Sequence, residues 1–166
     1  MYESLTPPSN LTNLLHTNGN VSLSGWPDTP FAQKIQTTDP YEYCALSITN
    51  LGTRLGNKTE SSHVIIAIHD RITAFRAQPE GSTPDEFDII VVDILLEMIP
   101  EENLTLELAI GALMVLDALV YVNDARNIRA IIVCNGVSYA TMGIDFLKNE
   151  LGAGNASLAL NVTAAR

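Results

Sequence analysis

Between Ser62 and Gln78 the apolar residues Val64, Ile65, Ile68, Ile72 and Phe75 fall on one stripe with a period of about 3.6 residues. That spacing predicts an amphipathic helix, since a strand of period two would place Asp70 on the apolar face. Pro79, Gly81 and Pro84 end it. Upstream, Cys44 to Leu51 alternates apolar and small polar residues and reads as a strand, with Gly52 and Gly56 marking the loop that follows. Phe87 to Met98 is apolar almost throughout and rich in Ile and Val, the composition of a central strand. From Ile90 onward its even positions, Ile90, Val92, Ile94, Leu96 and Met98, are all apolar, while its odd positions include Asp93 and Glu97.

From Thr105 to Val122 apolar side chains surround a second predicted helix almost completely, with Thr105 as its N-cap. The segment is long enough to tempt a membrane-spanning reading. Glu107 and Asp117 oppose it, because a central acid costs about 2.5–3.5 kcal/mol on insertion scales. A buried helix of a soluble protein is expected. Asn127 to Cys134 reads as a strand, Asn135-Gly136 as a hairpin turn, and Val137 to Leu147 as the returning strand.

The order β-α-β-α-β-β predicts an α+β fold. Right-handed crossovers would place both helices on one face of a mixed sheet of about four strands, giving a two-layer sandwich. Residues 1–38, rich in Asn, Thr, Ser and Pro, read as an extended arm packed on a single domain over 39–150, and residues 151–166 as a flexible glycosylated tail. Within the arm, Trp26-Pro27-Asp28-Thr29-Pro30-Phe31 holds two aromatics at a fixed spacing between rigid prolines. Such an element either straps the arm onto the core or offers a stacking surface to a ligand.

This W-P-x-x-P-F element, followed by the short β-like stretch Ala45 to Gly52, resembles a group of small secreted proteins of filamentous fungi. The resemblance covers residues 21–55. It implies secretion and a fungal source, and it implies no activity and no site.

Composition narrows the options. A chain of 166 residues that is 46% hydrophobic can bury a real core as one domain. Its formal net charge of −10 repels phosphate backbones and anionic lipid surfaces, which argues against nucleic-acid and peripheral membrane partners. Six Asn-x-Ser/Thr triplets, at Asn10, Asn20, Asn57, Asn103, Asn155 and Asn161, are acceptors for N-linked carbohydrate. Chance placement of the 13 asparagines would give about two. The excess points to the secretory pathway and an extracellular location. No apolar leader follows Met1, so removal of a signal peptide is the expectation. In an oxidising compartment Cys44 and Cys134 would be bridged, which in the chain-entropy model contributes about 4–5 kcal/mol. The alternative is two buried thiols in a cytosolic protein.

Familiar chemistry is absent from the sequence. There is no glycine-rich phosphate loop, no G-x-S-x-G elbow and no His-Glu-x-x-His helix. Neither a cofactor nor a metal is expected, since His16, His63 and His69 lack ligand spacing. His69-Asp70-Arg71 on a helix would point about 100° apart in succession and cannot converge on one atom. Two constellations remain. Asp93 and Glu97 would share one strand face roughly 13 Å apart, either as the carboxyl pair of a small hydrolase or cyclase with Arg129, or as ordinary ion-pair partners of Arg129 on a neighbouring strand. Asp117 lies beside Ile110, Met114 and Tyr121. It is either buried with a perturbed carboxyl, or marks an outer helix face that contacts a partner or a second copy. The sequence favours a non-catalytic binding protein, with a protein, carbohydrate, apolar small molecule or homodimer as partner. A small enzyme using carboxylates on the open sheet face is the alternative.

Overall fold

Three β-hairpins alternate with two helices. The computed structural model describes residues 25–39 and 42–147. In chain order these contain β1 (Phe31–Ile35), β2 (Cys44–Leu55), α1 (Lys58–Arg76), β3 (Phe87–Val91), β4 (Ile94–Pro100), α2 (Leu106–Asn123), β5 (Arg126–Cys134) and β6 (Val137–Phe146). The strands form one sheet in the order β1-β2-β5-β6-β4-β3, and every neighbouring pair is antiparallel. The fold is α+β with two helices, as the hydrophobic pattern predicts. The expected four-strand mixed sheet is corrected to six antiparallel strands.

One face of the sheet is apolar and buried, with Leu46 and Ile48 of β2, Ile128 and Ile132 of β5, and Met142 and Ile144 of β6 all at 2% exposure or less. Helices α1 and α2 cover that face with Val64, Ile68 and Phe75, and with Leu113, Leu116 and Val120. Ser61 of α1 meets Asp124 just past the end of α2, and His69 meets Asp117, so the helices pack antiparallel. The alternate positions of the central strands, among them Arg129 and Thr141, face away from the helices and stay accessible.

The largest departure lies in residues 87–98. They do not form one central strand. They form a hairpin at the sheet edge, turning at Val92-Asp93. The turn resets the alternation, so the core face is Phe87 with Ile94, Leu96 and Met98, while Ile90 and Val92 are exposed. A second departure is β1. The end of the presumed arm is a strand paired along β2, with Phe31 opposite Ile48 and Ile35 opposite Cys44. Third, β2 does not stop before Gly52 but runs on to Leu55 through register shifts. Fourth, α1 starts one turn before Ser62. Asn57 is its N-cap, the Asn57 side chain accepts from the Glu60 backbone N–H, and the Glu60 carboxylate accepts from the Asn57 backbone N–H, a complete capping box. Helix α2 begins as predicted, with Thr105 Oγ1 accepting from the Leu108 N–H at 3.3 Å.

Two links tie the chain together. Cys44 and Cys134 are registered opposite each other on β2 and β5 and are joined in a disulfide across 90 residues. Trp26 is fully buried, and its indole Nε1–H donates to the carbonyls of Asn123 and Asp124 at 3.1 Å each. Those carbonyls lie at the C-terminal end of α2, where a helix runs out of backbone donors of its own. From there the segment runs alongside α2 to Thr38, whose N–H donates to Glu107 at 2.7 Å. The aromatic element is thus a strap, with Phe31 tilted against Trp26 at 6.5 Å between ring centroids. The triplets at Asn10, Asn20, Asn155 and Asn161, and His16, lie outside the described residues.

Candidate functional site

The open sheet face carries the predicted carboxylates, in a different arrangement. Arg129 on β5, Gly143 on β6 and Glu97 on β4 stand in one row across three strands. Gly143 has no side chain, so the guanidinium and the carboxylate extend over it. A Cβ there would lie 2.6 Å from Arg129 Nη1 and 2.7 Å from Glu97 Oε1. Arg129 Nη2 donates to Asp145 Oδ2 at 2.7 Å, and Nη1 lies 3.6 Å from Glu97 Oε1. The Asp145 hydrogen bond, which outweighs partial burial, holds the Arg129 guanidinium above its ordinary range. Two acids are therefore turned toward one cation within the sheet.

Asp93 does not belong to this group. It sits in the β3–β4 turn, where its backbone carbonyl accepts from the Leu147 N–H at 2.8 Å. Its charge acts on Glu60, at the start of α1. The expected Asp93–Glu97 pair on a common strand face is thus corrected, because the turn removes Asp93 from the strand. The expected pairing of Arg129 with Glu97 is present, but across an intervening strand rather than between neighbours. The sequence pattern does not mark Gly143, at the centre of the row, or Asp145, two residues further along β6. The available signal was a lone glycine inside a strand pattern, which marks close approach.

The second surface is the outside of α2. Ile110, Met114, Asp117 and Tyr121 follow one another at intervals of four, three and four residues, on the side away from the sheet. Met114 is 52% and Tyr121 66% exposed, and Ile110 is half-buried. Asp117 is half-buried too, and its Oδ2 lies 3.2 Å from His69 Nε2 of α1. Its Oδ1 is buried and has no hydrogen-bond partner among the described residues. Ile66 on α1 adds another exposed apolar side chain to the helical layer. Of the triad His69-Asp70-Arg71, His69 bridges to α2, while Arg71 stacks over the rings of Phe87 at 4.5 Å and Phe75 at 5.6 Å. These two therefore diverge, as helical spacing requires.

Helix α2 is also long and apolar enough, by length and composition, to cross a membrane. Its sheet-facing residues, Leu113, Leu116 and Val120 among them, are consumed by the core. One metal-like gathering exists among the described residues, the Glu42 carboxylate with the sulfurs of Cys44 and Cys134. The sulfurs are bonded to each other and offer no thiolate. No family model, no curated protein and no solved structure matches this chain.

Proposed function

We propose that this chain is a secreted, N-glycosylated protein that acts by binding rather than by catalysis, through the outer stripe of α2, and that the occupant of the stripe is a second copy of the chain. The observation that carries the reading is the exposure of Met114 and Tyr121 on a helix whose opposite side is core. The four-three-four spacing of Ile110, Met114, Asp117 and Tyr121 is the pattern with which two helices interlock. The acids along the stripe are already engaged within the chain, Asp117 by His69 and Glu107 by Thr38. The one acid oxygen on that stripe without a partner among the described residues, Asp117 Oδ1, is buried and out of a basic partner's reach, whereas an identical apolar stripe fits it.

The secretory part of the proposal is supported by the Cys44–Cys134 disulfide, by the exposed positions of Asn57 and Asn103, and by the resemblance to small secreted fungal proteins. The enzyme alternative draws less support. Glu97 and Asp145 are both turned onto Arg129, and Asp93 lies apart from them.

Native mass spectrometry and light scattering after size exclusion test the proposal. The polypeptide of 18.0 kDa should appear at twice its mass. The dimer should strengthen with added salt, because screening relieves repulsion between two copies of charge −10. Met114→Asp and Tyr121→Asp should give folded monomers. A wild type that stays monomeric at all salt and protein concentrations, or variants that stay dimeric, would overturn it.

A further inference from the structure

We infer that Asn57 is a carbohydrate attachment site built into a helix cap, so that the sugar and the cap coexist on one side chain. The inference rests on the secretory reading above and adds to it a particular residue. In the triplet Asn57-Lys58-Thr59 all three residues are exposed. Asn57 Oδ1 accepts from the Glu60 N–H at 2.9 Å, and the Asn57 backbone N–H donates to Glu60 Oε2 at 2.8 Å. The carboxamide nitrogen Nδ2 takes no part in the cap and has no partner among the described residues. Capping uses the oxygen; glycosylation uses the nitrogen.

The transfer reaction is compatible with that division. The donor is an oligosaccharide carried on a lipid diphosphate. The bond from its anomeric carbon to the diphosphate oxygen breaks, a bond from that carbon to Nδ2 forms, one Nδ2 proton leaves, and the lipid diphosphate departs. Oδ1 is untouched, and Nδ2 keeps one hydrogen. The folded glycoprotein can therefore retain both hydrogen bonds of the capping box. Asn103 has no such arrangement. Its triplet supplies Thr105 as the N-cap of α2, and Asn103 itself lies outside the helix.

The full chain, secreted from a eukaryotic host behind a cleavable leader, provides the test. Enzymatic release of the glycans in heavy-oxygen water converts each occupied asparagine to labelled aspartate, which peptide mapping reads. Label at Asn57 is expected, and Thr59→Ala should abolish it while leaving the cap. Protein trimmed to a single sugar at Asn57 should then unfold at the same urea concentration as Thr59→Ala and as Asn57→Asp, which caps without sugar. Asn57→Ala should unfold earlier. A bare Asn57 beside label at other asparagines would overturn this inference alone. Absence of label at all six would overturn the secretory reading with it. A trimmed glycoprotein as unstable as Asn57→Ala would show that sugar and cap exclude each other. Retained material can be mapped from the microsomal fraction with the same outcomes.

Discussion

The Cγ2 methyl of Ile35 lies 2.5 Å from where a Cβ on Gly111 would stand. Ile35 is fully buried at the end of β1, and Gly111 sits in the middle of α2, so the glycine lets the strap run close against the helix. Two effects compete in Gly111→Ala. Helix propensity favours alanine by about 1 kcal/mol. Overpacking against a side chain that cannot move into solvent costs about 1–3 kcal/mol. The steric effect should win, lowering the urea midpoint. Ile35→Ala combined with Gly111→Ala should lose less stability than the sum of the two single changes, because each relieves the clash the other meets.

Gly143 offers the contrasting case. There the atoms that crowd an added Cβ include the far ends of two flexible side chains, Arg129 and Glu97. Both are accessible enough to swing outward, and a solvated ion pair contributes only about 0–1 kcal/mol. Removing a glycine from a strand interior returns about 0.5–1 kcal/mol. Gly143→Ala should therefore change stability by less than about 0.5 kcal/mol, well below Gly111→Ala in the same urea titration. A loss equal to that of Gly111→Ala would mean that the Arg129–Glu97–Asp145 row is rigid and does structural work.

The sequence made some of these features visible and hid others, for physical reasons. Thr105 and the turn Asn135-Gly136 were legible because their residue types carry out the local job: a hydroxyl that accepts a helix N–H, and two positions of positive φ, 49° and 83°. The capping box of α1 was equally present in Asn57 and Glu60. It was hidden by the apolar stripe, which starts only at Val64, nearly two turns inside the helix. The β3–β4 hairpin carried no turn signal. Its first turn residue is Val92, held at φ 59°, where glycine or asparagine would be expected. Twelve residues of nearly unbroken apolar character therefore read as one strand. The rows on the open face depend on register between strands distant in sequence, which no local pattern encodes.

Val92 leads to a prediction of its own. A β-branched residue at positive φ is strained, and Val92 is 66% exposed, so its side chain contributes little packing. Replacement by glycine removes a strain on the order of 1–3 kcal/mol and adds about 0.5–1 kcal/mol of unfolded-state entropy. Val92→Gly should raise the urea midpoint, and Val92→Asn should do so without the entropic penalty. Unchanged or lowered midpoints for both would show that the turn relaxes around valine at no cost.

The disulfide supports the region where β2 and β5 begin and end. Beside it, Tyr43 and Asn135 exchange two hydrogen bonds: the Asn135 N–H donates to the Tyr43 carbonyl at 2.9 Å, and the Tyr43 N–H donates to Asn135 Oδ1 at 3.2 Å. These local bonds persist without the covalent link, so the reduced protein should keep its fold. It should lose about 4–5 kcal/mol, the loop-closure entropy of a 90-residue ring. Urea titration with and without dithiothreitol measures the difference, and Cys44→Ala with Cys134→Ala reproduces it without reductant. A shift below about 1 kcal/mol would place most of the constraint in residual structure of the unfolded chain.

Glu60 gives the molecule a pH-dependent hold on α1. Partial burial pushes its carboxyl up, but the Asn57 backbone N–H and the Arg54 guanidinium, at 2.5 Å, outweigh that and leave it below its ordinary value. The folded state thus binds the Glu60 proton more weakly than the unfolded chain does. The resulting stabilisation is complete above the unfolded-state value and is lost as pH falls through the lower folded-state value. Glu60→Gln keeps the capping geometry, because glutamine serves equally in the capping box, and removes the titrating charge together with its attraction to Arg54. Between about pH 6 and pH 3 the urea midpoint of the wild type should fall more steeply than that of Glu60→Gln, the two curves converging at the acidic end. Parallel curves over that range would mean that Arg54 and the helix start hold the neutral carboxylic acid as well as the carboxylate, and that acid lability in this protein arises elsewhere.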